Sequence, residues 1–450
     1  MDSSAQPALE SREIRTAPRT FDCDVIGQKS VLALRLCIAV VCLVSIYFAL
    51  RQGVAAWYFR SNLPQDVATA ARWDPANPQF AGTLANLMHF YSENPDPNQV
   101  VALCERATRL SPNDAHYWAD LGSAYDWAGR SHDAIRAFER ARKLFPNSPD
   151  INWRLANYYV RANRALEALP LLQKVLLATG VPDQQAFLLI AHAGIDTSAV
   201  MTGMLPPRGS AFVHYLNFQL ELGRLADAGE VWAGLLKSGL AFKVEDSFFY
   251  IDSLIRKRNT EEAVAVWRET AARFPGEIGS RTAPPNLITN GDFDFPILNG
   301  GFDWRVNPVE GATVRINSTG RQNGTNSLQI DFDGTRNITY GDTFQFIPVR
   351  PNVQYDFSVE LKTSGITTDN GPRVQIYDQY EMKNLFLATE GVRGDTSWTV
   401  QKLNFRTGPD THLIVVQVAR PASQKFDNKI AGTVWIRHIS LGEENQDSTP

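Results

Sequence analysis

The sequence predicts a multidomain protein with a single transmembrane helix, an all-α solenoid of helical repeats and an all-β sandwich. Three observations support this fold class: an apolar run at residues 31–50, residues that recur every 34 positions after it, and short alternating strands from about residue 286. The chain has 450 residues, of which 44% are hydrophobic and 20% are charged. This length exceeds one ordinary domain of about 100–200 residues, and the composition excludes wholesale disorder.

The charge balance argues against a nucleic-acid partner. The chain carries 44 Lys+Arg and 48 Asp+Glu, for a net charge of −4, and no domain-sized region has the basic excess that binding a phosphate backbone requires. Its four cysteines are Cys23, Cys37, Cys42 and Cys104. Because no thiol follows Cys104, a disulfide-built module and a paired-cysteine zinc site are both excluded.

The apolar run Val31–Leu50 has the length of a membrane-spanning helix. About 20 residues at ~1.5 Å each cross the ~30 Å hydrocarbon core of a bilayer. The positively charged residues near this run are more numerous on its N-terminal side, with Arg12, Arg15, Arg19, Lys29 and Arg35 against Arg51 and Arg60. The positive-inside rule therefore predicts a cytoplasmic tail at 1–30. The rest of the chain would be periplasmic or otherwise extracytoplasmic, held by a helix in the inner (plasma) membrane.

Other features flank the run. Trp57, Tyr58 and Phe59 are expected to form an aromatic belt at the membrane surface. Two alternatives to an uncleaved anchor remain open: a signal peptide cleaved near 54–56, and a buried core helix.

Residues 61–277 repeat with a period of 34. Leu87, Leu121 and Leu155 follow this spacing, and so do Tyr91, Tyr125 and Tyr159. One segment resembles the tetratricopeptide repeat at each diagnostic position, namely Trp118, Leu121, Gly122, Tyr125, Gly129, Ala134, Phe138, Ala141 and Pro146. The resemblance implies about five helical hairpins stacked into a solenoid. A stretch at 194–209 breaks the period and is expected to be a loop or a distorted helix.

The resemblance also implies a concave groove that binds an extended protein partner. The positions expected to face the groove are His89, Glu93, His116, Asp126, Trp127, Trp153, Asn157, Arg161 and Asn217. For Trp127 and Trp153 the alternative is packing between neighbouring hairpins, because aromatic residues at helical spacing are often core residues.

The composition changes near residue 281. We predict a linker at 278–285, a β-sandwich at 286–442 and a polar tail at 443–450. Eight strands are predicted, at Thr313–Ile316, Ser327–Phe332, Asp342–Pro348, Gln354–Lys362, Arg373–Tyr377, Thr399–Phe405, His412–Val418 and Thr433–Leu441. Eight short strands in this length are typical of a two-sheet sandwich.

The two ends of this region resemble the galactose-binding-like jelly rolls, a group that includes many carbohydrate-binding modules. The opening run 286–294 reads NLITNGDFD, and 301–304 reads GFDW. The resemblance implies a jelly-roll sandwich that binds glycan through aromatic faces and nearby polar groups. The candidate glycan-binding residues are Trp304, Tyr340, Arg373, Gln375, Tyr377 and Asp378, whereas Trp398 and Trp435 are expected in the core.

The resemblance also raises the question of a structural calcium ion. Asp292 and Asp294 are weak calcium candidates near the first strand. Arg437 and His438 stand where the family places a second acidic pair, so we predict neither a metal nor a cofactor.

No catalytic motif is present: the sequence lacks a nucleophile elbow, a phosphate-binding glycine loop and an H-E-x-x-H zinc motif. We therefore expect a non-catalytic scaffold that binds protein through the groove and glycan through the sandwich, in bacterial surface-polysaccharide or envelope assembly. The alternatives are a glycan-processing enzyme that uses the sandwich, favoured by a carboxylate pair in a cleft, and a structural subunit without a ligand.

Overall fold

The structure, a computed structural model, describes residues 28–178, 183–279, 281, 284–318, 326–426 and 428–444. Most of the predicted tail 1–30, residues 280, 282 and 283 of the predicted linker and residues 445–450 of the polar tail lie outside the described residues. The described chain forms two compact units that divide between Tyr158 and Tyr159. The division falls inside the predicted repeat array, and the predicted linker 278–285 lies within the second unit.

The first helix, α1 (Gln28–Phe59), has a stretch that is long and apolar enough to cross a membrane, a property that anchors and signal sequences share. The helix continues beyond the apolar run to Phe59. In this extension Ala55, Tyr58 and Phe59 pack against residues of the next two helices. Tyr58 and Phe59 are thus half-buried against protein, and the aromatic belt stays a prediction. Trp57 is 66% exposed.

Thirteen further α-helices follow in the described residues, mostly as antiparallel hairpins. They are α2 (Pro64–Trp73), α3 (Pro78–Tyr91), α4 (Pro97–Leu110), α5 (Ala115–Trp127), α6 (Ser131–Leu144), α7 (Pro149–Arg161), α8 (Ala165–Leu177), α9 (Asp183–His192), α10 (Thr197–Gly203), α11 (Gly209–Glu221), α12 (Leu225–Ser238), α13 (Phe248–Arg256) and α14 (Thr260–Arg273). The predicted repeat array is thus confirmed as stacked helices, and the predicted break at 194–209 contains the seven-residue helix α10.

Local sequence explains where the helices of the first unit begin. The side chains of Asn77, Asp96 and Asp114 each accept a hydrogen bond from a backbone N–H two residues later. Such caps satisfy donors that have no partner within the helix. Proline stands at the start of α2, α3 and α4, where it has no N–H to lose.

Small residues set the spacing between helices, as the repeat pattern predicted. A Cβ atom added to Gly122 on α5 would lie 2.8 Å from the ring of Phe138 on α6. The same holds for Gly82 on α3, where the added atom would lie 2.8 Å from the ring of Tyr117. Glycine is required at these contacts because the interior is close-packed.

The C-terminal region is a jelly-roll sandwich of two antiparallel sheets, which confirms the predicted fold class. The first sheet has the strand order β1-β4-β9-β6-β7 and the second β2-β3-β10-β5-β8. The strands are β1 (Arg305–Val306), β2 (Ala312–Asn317), β3 (Ser327–Asp333), β4 (Tyr340–Pro348), β5 (Gln354–Ile366), β6 (Arg373–Asp378), β7 (Phe386–Ala388), β8 (Gly394–Arg406), β9 (Leu413–Arg420) and β10 (Ala431–Glu443). All eight predicted strands are present, and the short β1 and β7 are added at the edges of the first sheet.

The space between the two sheets holds the core of the sandwich, which includes Ile288, Trp304, Ile376, Val416 and Ile436. The expectation that Trp398 and Trp435 lie in this core is wrong. Both are only half-buried: Trp435 alternates with the core residues Val434 and Ile436 along β10, and Trp398 lies on the edge strand β8. Instead, a cationic side chain lies over each ring. The Arg437 guanidinium carbon is 4.0 Å from the centroid of the Trp398 ring, and Lys362 Nζ is 5.0 Å from that of Trp435.

Candidate functional site

The first unit contains a groove of about 630 Å³ that is lined mainly by residues of α3, α4, α5 and α7. Side chains from successive hairpins meet there because equivalent positions of a repeat share one face of the array. His89 and Trp153, both predicted to face the groove, line it. The cavity therefore coincides with part of the predicted binding surface.

A row of fixed charges crosses this groove. Arg154 Nη1 donates to Asp120 Oδ1 at 2.6 Å, and Arg154 Nε donates to Asp150 Oδ1 at 3.1 Å. Arg154 and Asp120 are 34 residues apart, one full repeat, so the bond joins equivalent positions of neighbouring hairpins. A guanidinium held on two sides keeps its orientation before any ligand arrives.

His89 lies in an aromatic surrounding at one end of the groove. Its ring centroid is 4.3 Å from that of Trp127 and 4.5 Å from that of Phe90. Burial lowers the pKa of His89, and its Nδ1 has no hydrogen-bond partner among the described residues. Burial therefore favours the neutral form of the imidazole.

Exposed aromatic side chains continue from this end of the groove. Phe90 is 71% exposed, Tyr91 is 77% exposed and Trp127 is 38% exposed. Rings that stay exposed in a folded protein are suited to contact an apolar segment of a partner. Trp127 contacts His89 within the first unit, which supports a place beside the groove.

Cys104 also lines the groove, but its thiol is unreactive. Its thiol is buried, and burial, with smaller contributions from Asp120 and Glu105, raises its pKa to about 12. A thiol with this pKa remains protonated at neutral pH and is a poor nucleophile.

The other predicted groove residues are dispersed. Asn157 donates through Nδ2 to the carbonyl oxygen of Trp153 and so supports the groove wall. Glu93 and His116 are exposed, and Asp126 is half-buried; none of the three is among the residues lining the 630 Å³ groove. Arg161 is exposed and belongs to the second unit.

Asn217, the last predicted groove residue, lines a smaller depression of 300 Å³ in the second unit. Its Oδ1 is buried without a hydrogen-bond partner among the described residues. His214 lies beside it, with Nδ1 2.7 Å from Asp183 Oδ2. Sequence reasoning missed His214, although its position one helical turn before Asn217 places both on one face of α11.

Sequence reasoning also missed Asp120 and Arg154 in the first groove. The available signal was their spacing: they are 34 residues apart and occupy equivalent positions of two repeats. Opposite charges at one repeat position favour an ion pair across the stack.

In the sandwich, three of the six candidate glycan-binding residues are in the interior. Trp304 is 0% exposed, and Tyr340 and Asp378 are each 2% exposed. An enclosed ring offers no face to a sugar, so Trp304 and Tyr340 are excluded as stacking residues. Trp304 lies in the core because the run GFDW turns into the sandwich, where its ring packs 5.5 Å from that of Phe293.

The other three candidates lie on the outer face of the first sheet. Val374 and Ile376 of β6 are core residues, which leaves Arg373, Gln375 and Tyr377 on the opposite side. This face is not an open aromatic platform. Val415, the cross-strand partner of Tyr377, is only 1% exposed.

The last helical hairpin packs against the sandwich within the second unit. Arg305 of β1 donates from Nη1 to Asp252 Oδ2 of α13 at 3.0 Å. Thr260 Oγ1 at the start of α14 lies 2.7 Å from the hydroxyl oxygen of Tyr380. Together these contacts join α13 and α14 to both the β1 edge and the loop after β6.

A cavity of about 820 Å³ lies between α14 and the loops at this end of the sandwich. Four carboxylates are among the residues that line it: Glu261, Asp378, Glu381 and Asp410. Asp378 accepts hydrogen bonds from the backbone N–H groups of Tyr380 and Glu381 through Oδ1, while its buried Oδ2 has no partner among the described residues. Polar groups therefore converge here more than on the outer sheet face.

The calcium candidates have other contacts. Asp292 Oδ1 lies 2.7 Å from Nδ1 of His438, and Asp294 Oδ1 accepts a hydrogen bond from Asn326 Nδ2 at 3.3 Å. His438 thus occupies the place where a second carboxylate would be needed. Within the described ranges, no group of three or more His, Cys, Asp or Glu side chains is arranged to hold a metal ion.

Comparison with known proteins finds a family match within the helical part of the chain. Residues 119–184 match the family model of the tetratricopeptide repeat. The TPR repeat-containing protein YpiA of Bacillus subtilis is 28% identical over 108 residues, which cover 24% of this chain and 26% of that protein. Superkiller protein 3 of Saccharomyces cerevisiae is 30% identical over 83 residues, which cover 18% of this chain and 6% of that protein. The chain thus spans only about a quarter of YpiA and far less of Superkiller protein 3.

Solved structures give weaker likenesses. YrrB, a TPR protein with an unusual peptide-binding site, aligns with 46% of this chain and 92% of its own, at 16% identity and a TM-score of 0.25. A CBM4 structure aligns with 35% of this chain and 99% of its own, at 16% identity and a TM-score of 0.26. The tetratricopeptide match covers residues 119–184, and stacked hairpins continue on both sides of it. A jelly-roll sandwich follows the hairpins in the chain.

Proposed function

We propose that this chain is a membrane-anchored, non-catalytic scaffold whose repeat groove binds an extended segment of a partner protein. The observation that supports this function is the 630 Å³ groove, in which fixed polar groups adjoin exposed aromatic rings. An extended peptide offers backbone hydrogen-bonding groups and alternating side chains. A groove that offers both fixed polar groups and exposed aromatic rings suits such a ligand.

In this proposal, different side chains of the groove contact polar and apolar groups of the partner. Arg154, held by Asp120 and Asp150, presents a pre-oriented cation to a carbonyl or carboxylate of the partner. Phe90 and Tyr91 offer apolar surface for one large side chain of the partner. Because Arg154 is held by two carboxylates before binding, little of its side-chain entropy is lost when the partner binds.

The anchor in this proposal is α1, with the N-terminus in the cytoplasm and the two other regions in the periplasm or another extracytoplasmic space. The basic residues on the N-terminal side of the apolar run support this orientation. Cleavage near residues 54–56 is the competing outcome, and it would release the protein. Mass spectrometry of the mature protein distinguishes the two, because an intact chain retains residues 31–50.

The biological setting we propose is the assembly of a bacterial surface polysaccharide or of the envelope. An anchored array that is followed in the chain by a jelly-roll domain would hold an assembly enzyme near its glycan. Cross-linking of the full-length protein in membranes, followed by identification of attached proteins, tests this setting. Partners from unrelated cytoplasmic processes would contradict it.

The groove proposal is tested by selecting binding peptides from a random library on the full-length protein in nanodiscs. The variant Phe90→Ala/Tyr91→Ala removes two exposed rings, so folding should be preserved while affinity falls at least about tenfold. Phe145→Ala is the matched control, because Phe145 is also an exposed aromatic residue, at 48%, but does not line the groove. Equal loss in both variants, or no peptide whose binding depends on the groove, would reject the proposal.

A second candidate function is favoured by the carboxylates around the 820 Å³ cavity. Here the chain would bind or process a neutral glycan between α14 and the sandwich, since paired acids are the groups that glycoside hydrolysis uses. Incubation with oligosaccharides separates the options: product formation that is lost in Glu261→Gln or Asp410→Asn supports an enzyme. Binding without turnover supports a glycan-binding site. If neither turnover nor binding is detected, the peptide scaffold is the better account.

A further inference from the structure

The end of the apolar run and the end of α2 lie at the same level of the first hairpin. The apolar run ends at Leu50, but α1 continues for nine residues to Phe59. After a short turn, α2 (Pro64–Trp73) packs back along α1. Ten residues of α2 rise about 15 Å, and Arg51 to Phe59 rises about 12 Å, so α2 returns to the level of Arg51.

A direct contact fixes this level. Arg51 Nε donates a hydrogen bond to the carbonyl oxygen of Trp73, the last residue of α2. Carbonyl groups in the last turn of a helix lack partners within the helix, and a cation is favoured beside them. Trp73 is therefore held next to the residue that directly follows the apolar run.

The hairpin around this contact is closely packed. Ala55 and Ala70 are each 0% exposed, and they form one cluster with Phe80, to which Tyr58 and Phe59 add. Alanine at the helix contact lets the two backbones approach closely. The end of α2 consequently cannot move away from Arg51 without opening this cluster.

The residues at the end of α2 are suited to a bilayer surface. Trp73 is 44% exposed although it is a large aromatic residue, and Arg72 beside it is exposed. An indole ring places its apolar body among acyl chains and its N–H among headgroups, and arginine pairs with lipid phosphates. Both residues stand where the hydrocarbon region would end if α1 spans the membrane.

We propose that Arg72 and Trp73 form a second membrane contact, in the headgroup region of the bilayer that α1 crosses. This inference rests on the proposed anchoring by α1. The contact would fix the tilt of the first hairpin, and so would hold the start of the repeat array in one orientation at the membrane surface.

The test uses an environment-sensitive NBD fluorophore on single cysteines in the full-length protein. The native Cys23, Cys37, Cys42 and Cys104 are first replaced by alanine, and labels are placed at Trp73→Cys or Arg72→Cys in separate variants. Gln65→Cys is the matched control, because Gln65 is exposed on the same helix but about 12 Å farther along it. Leu43→Cys reports the apolar run itself.

The protein is reconstituted in vesicles of phosphatidylcholine and phosphatidylglycerol with or without shallow nitroxide-labelled lipid. We expect labels at 72 and 73 to be quenched at least threefold more than the label at 65. Equal quenching at 65, 72 and 73, with quenching retained at 43, would overturn the inference and leave the anchor intact. If the label at 43 is not quenched, both the headgroup contact and the proposed anchoring by α1 are overturned. The label at 72 keeps Trp73 in place, so the result does not depend on a variant that removes the indole ring.

Discussion

Arg281 Nη1 lies 3.1 Å from Asp303 Oδ2, and the two side chains are only 5% and 0% exposed. Arg281 also donates to the carbonyl oxygens of Glu277 and Pro296, and the backbone N–H of Leu298 donates to Asp303 Oδ2. Burial raises the pKa of Asp303, and the Arg281 charge opposes that rise. The pair connects the end of the last helical hairpin to the first turns of the sandwich.

Replacing one member of this pair should be costly. Asp303→Asn leaves the Arg281 charge buried without a counter-charge, which is expected to lower the free energy of unfolding by about 3–5 kcal/mol. Urea denaturation of the full-length protein measures the change. The double variant Arg281→Met/Asp303→Asn should lose less than the sum of the single variants, because it leaves no uncompensated charge. Additive losses would mean that the two side chains act independently.

A methyl group at Gly122 should disturb the hairpin formed by α5 and α6. The added Cβ would meet the Phe138 ring at 2.8 Å, and overpacking of this kind costs about 1–3 kcal/mol. That cost exceeds the gain of up to about 1 kcal/mol from replacing glycine by alanine in a helix. Thermal unfolding of Gly122→Ala measures the balance, with Ser123→Ala on the same helix as the control. A higher melting temperature for Gly122→Ala would contradict the packing.

Gly301→Ala tests the contact between the last hairpin and the sandwich. Gly301 has a φ of +57°, and a Cβ there would overlap the Trp267 ring of α14. Strain and overpacking act together, so we expect a loss of at least about 2 kcal/mol in the free energy of unfolding. Gly442→Ala is the control, because a Cβ at Gly442 meets nothing within 4 Å. Similar stability of both variants would show that Trp267 moves aside freely.

The stability of the first unit should depend on pH through His89. Burial lowers the pKa of His89 below its ordinary 6.5, so below about pH 6.5 the unfolded chain takes up a proton that the folded chain does not. The free energy of unfolding should therefore fall as pH decreases from 6.5 through the lowered pKa. His89→Gln removes this dependence, whereas His116→Gln, at an exposed position, should keep it. Parallel pH profiles for the wild type and His89→Gln would refute the prediction.

Much of the architecture was predictable from local patterns. The 34-residue recurrence of residues such as Leu121 and Tyr125 predicts the hairpins, because each repeat must bury the same face against its neighbour. Alternation in 373–377 predicts which side chains of β6 face the core. These patterns depend on neighbours within a few residues, or on one fixed period, and both are visible along the chain.

The candidate site was only partly predictable. His89 and Trp153 were found because the repeat register places them on the groove face, but the bond from Arg154 to Asp120 was not. Trp304 and Tyr340 were misassigned, because an aromatic residue suits a core and a sugar platform equally well by composition. Only the position of a ring relative to both sheets distinguishes these roles.

The amino-acid pattern sufficed for one apolar helix, a repeat array and a two-sheet sandwich, since periodicity and composition are local properties. Tertiary structure decided that Arg51 holds Trp73 at the end of the apolar run, that His438 meets Asp292, and that Arg305 joins the sandwich to Asp252. The members of these pairs lie 22 to 146 residues apart. No short-range pattern encodes such contacts, because they arise only when separately folded elements pack together.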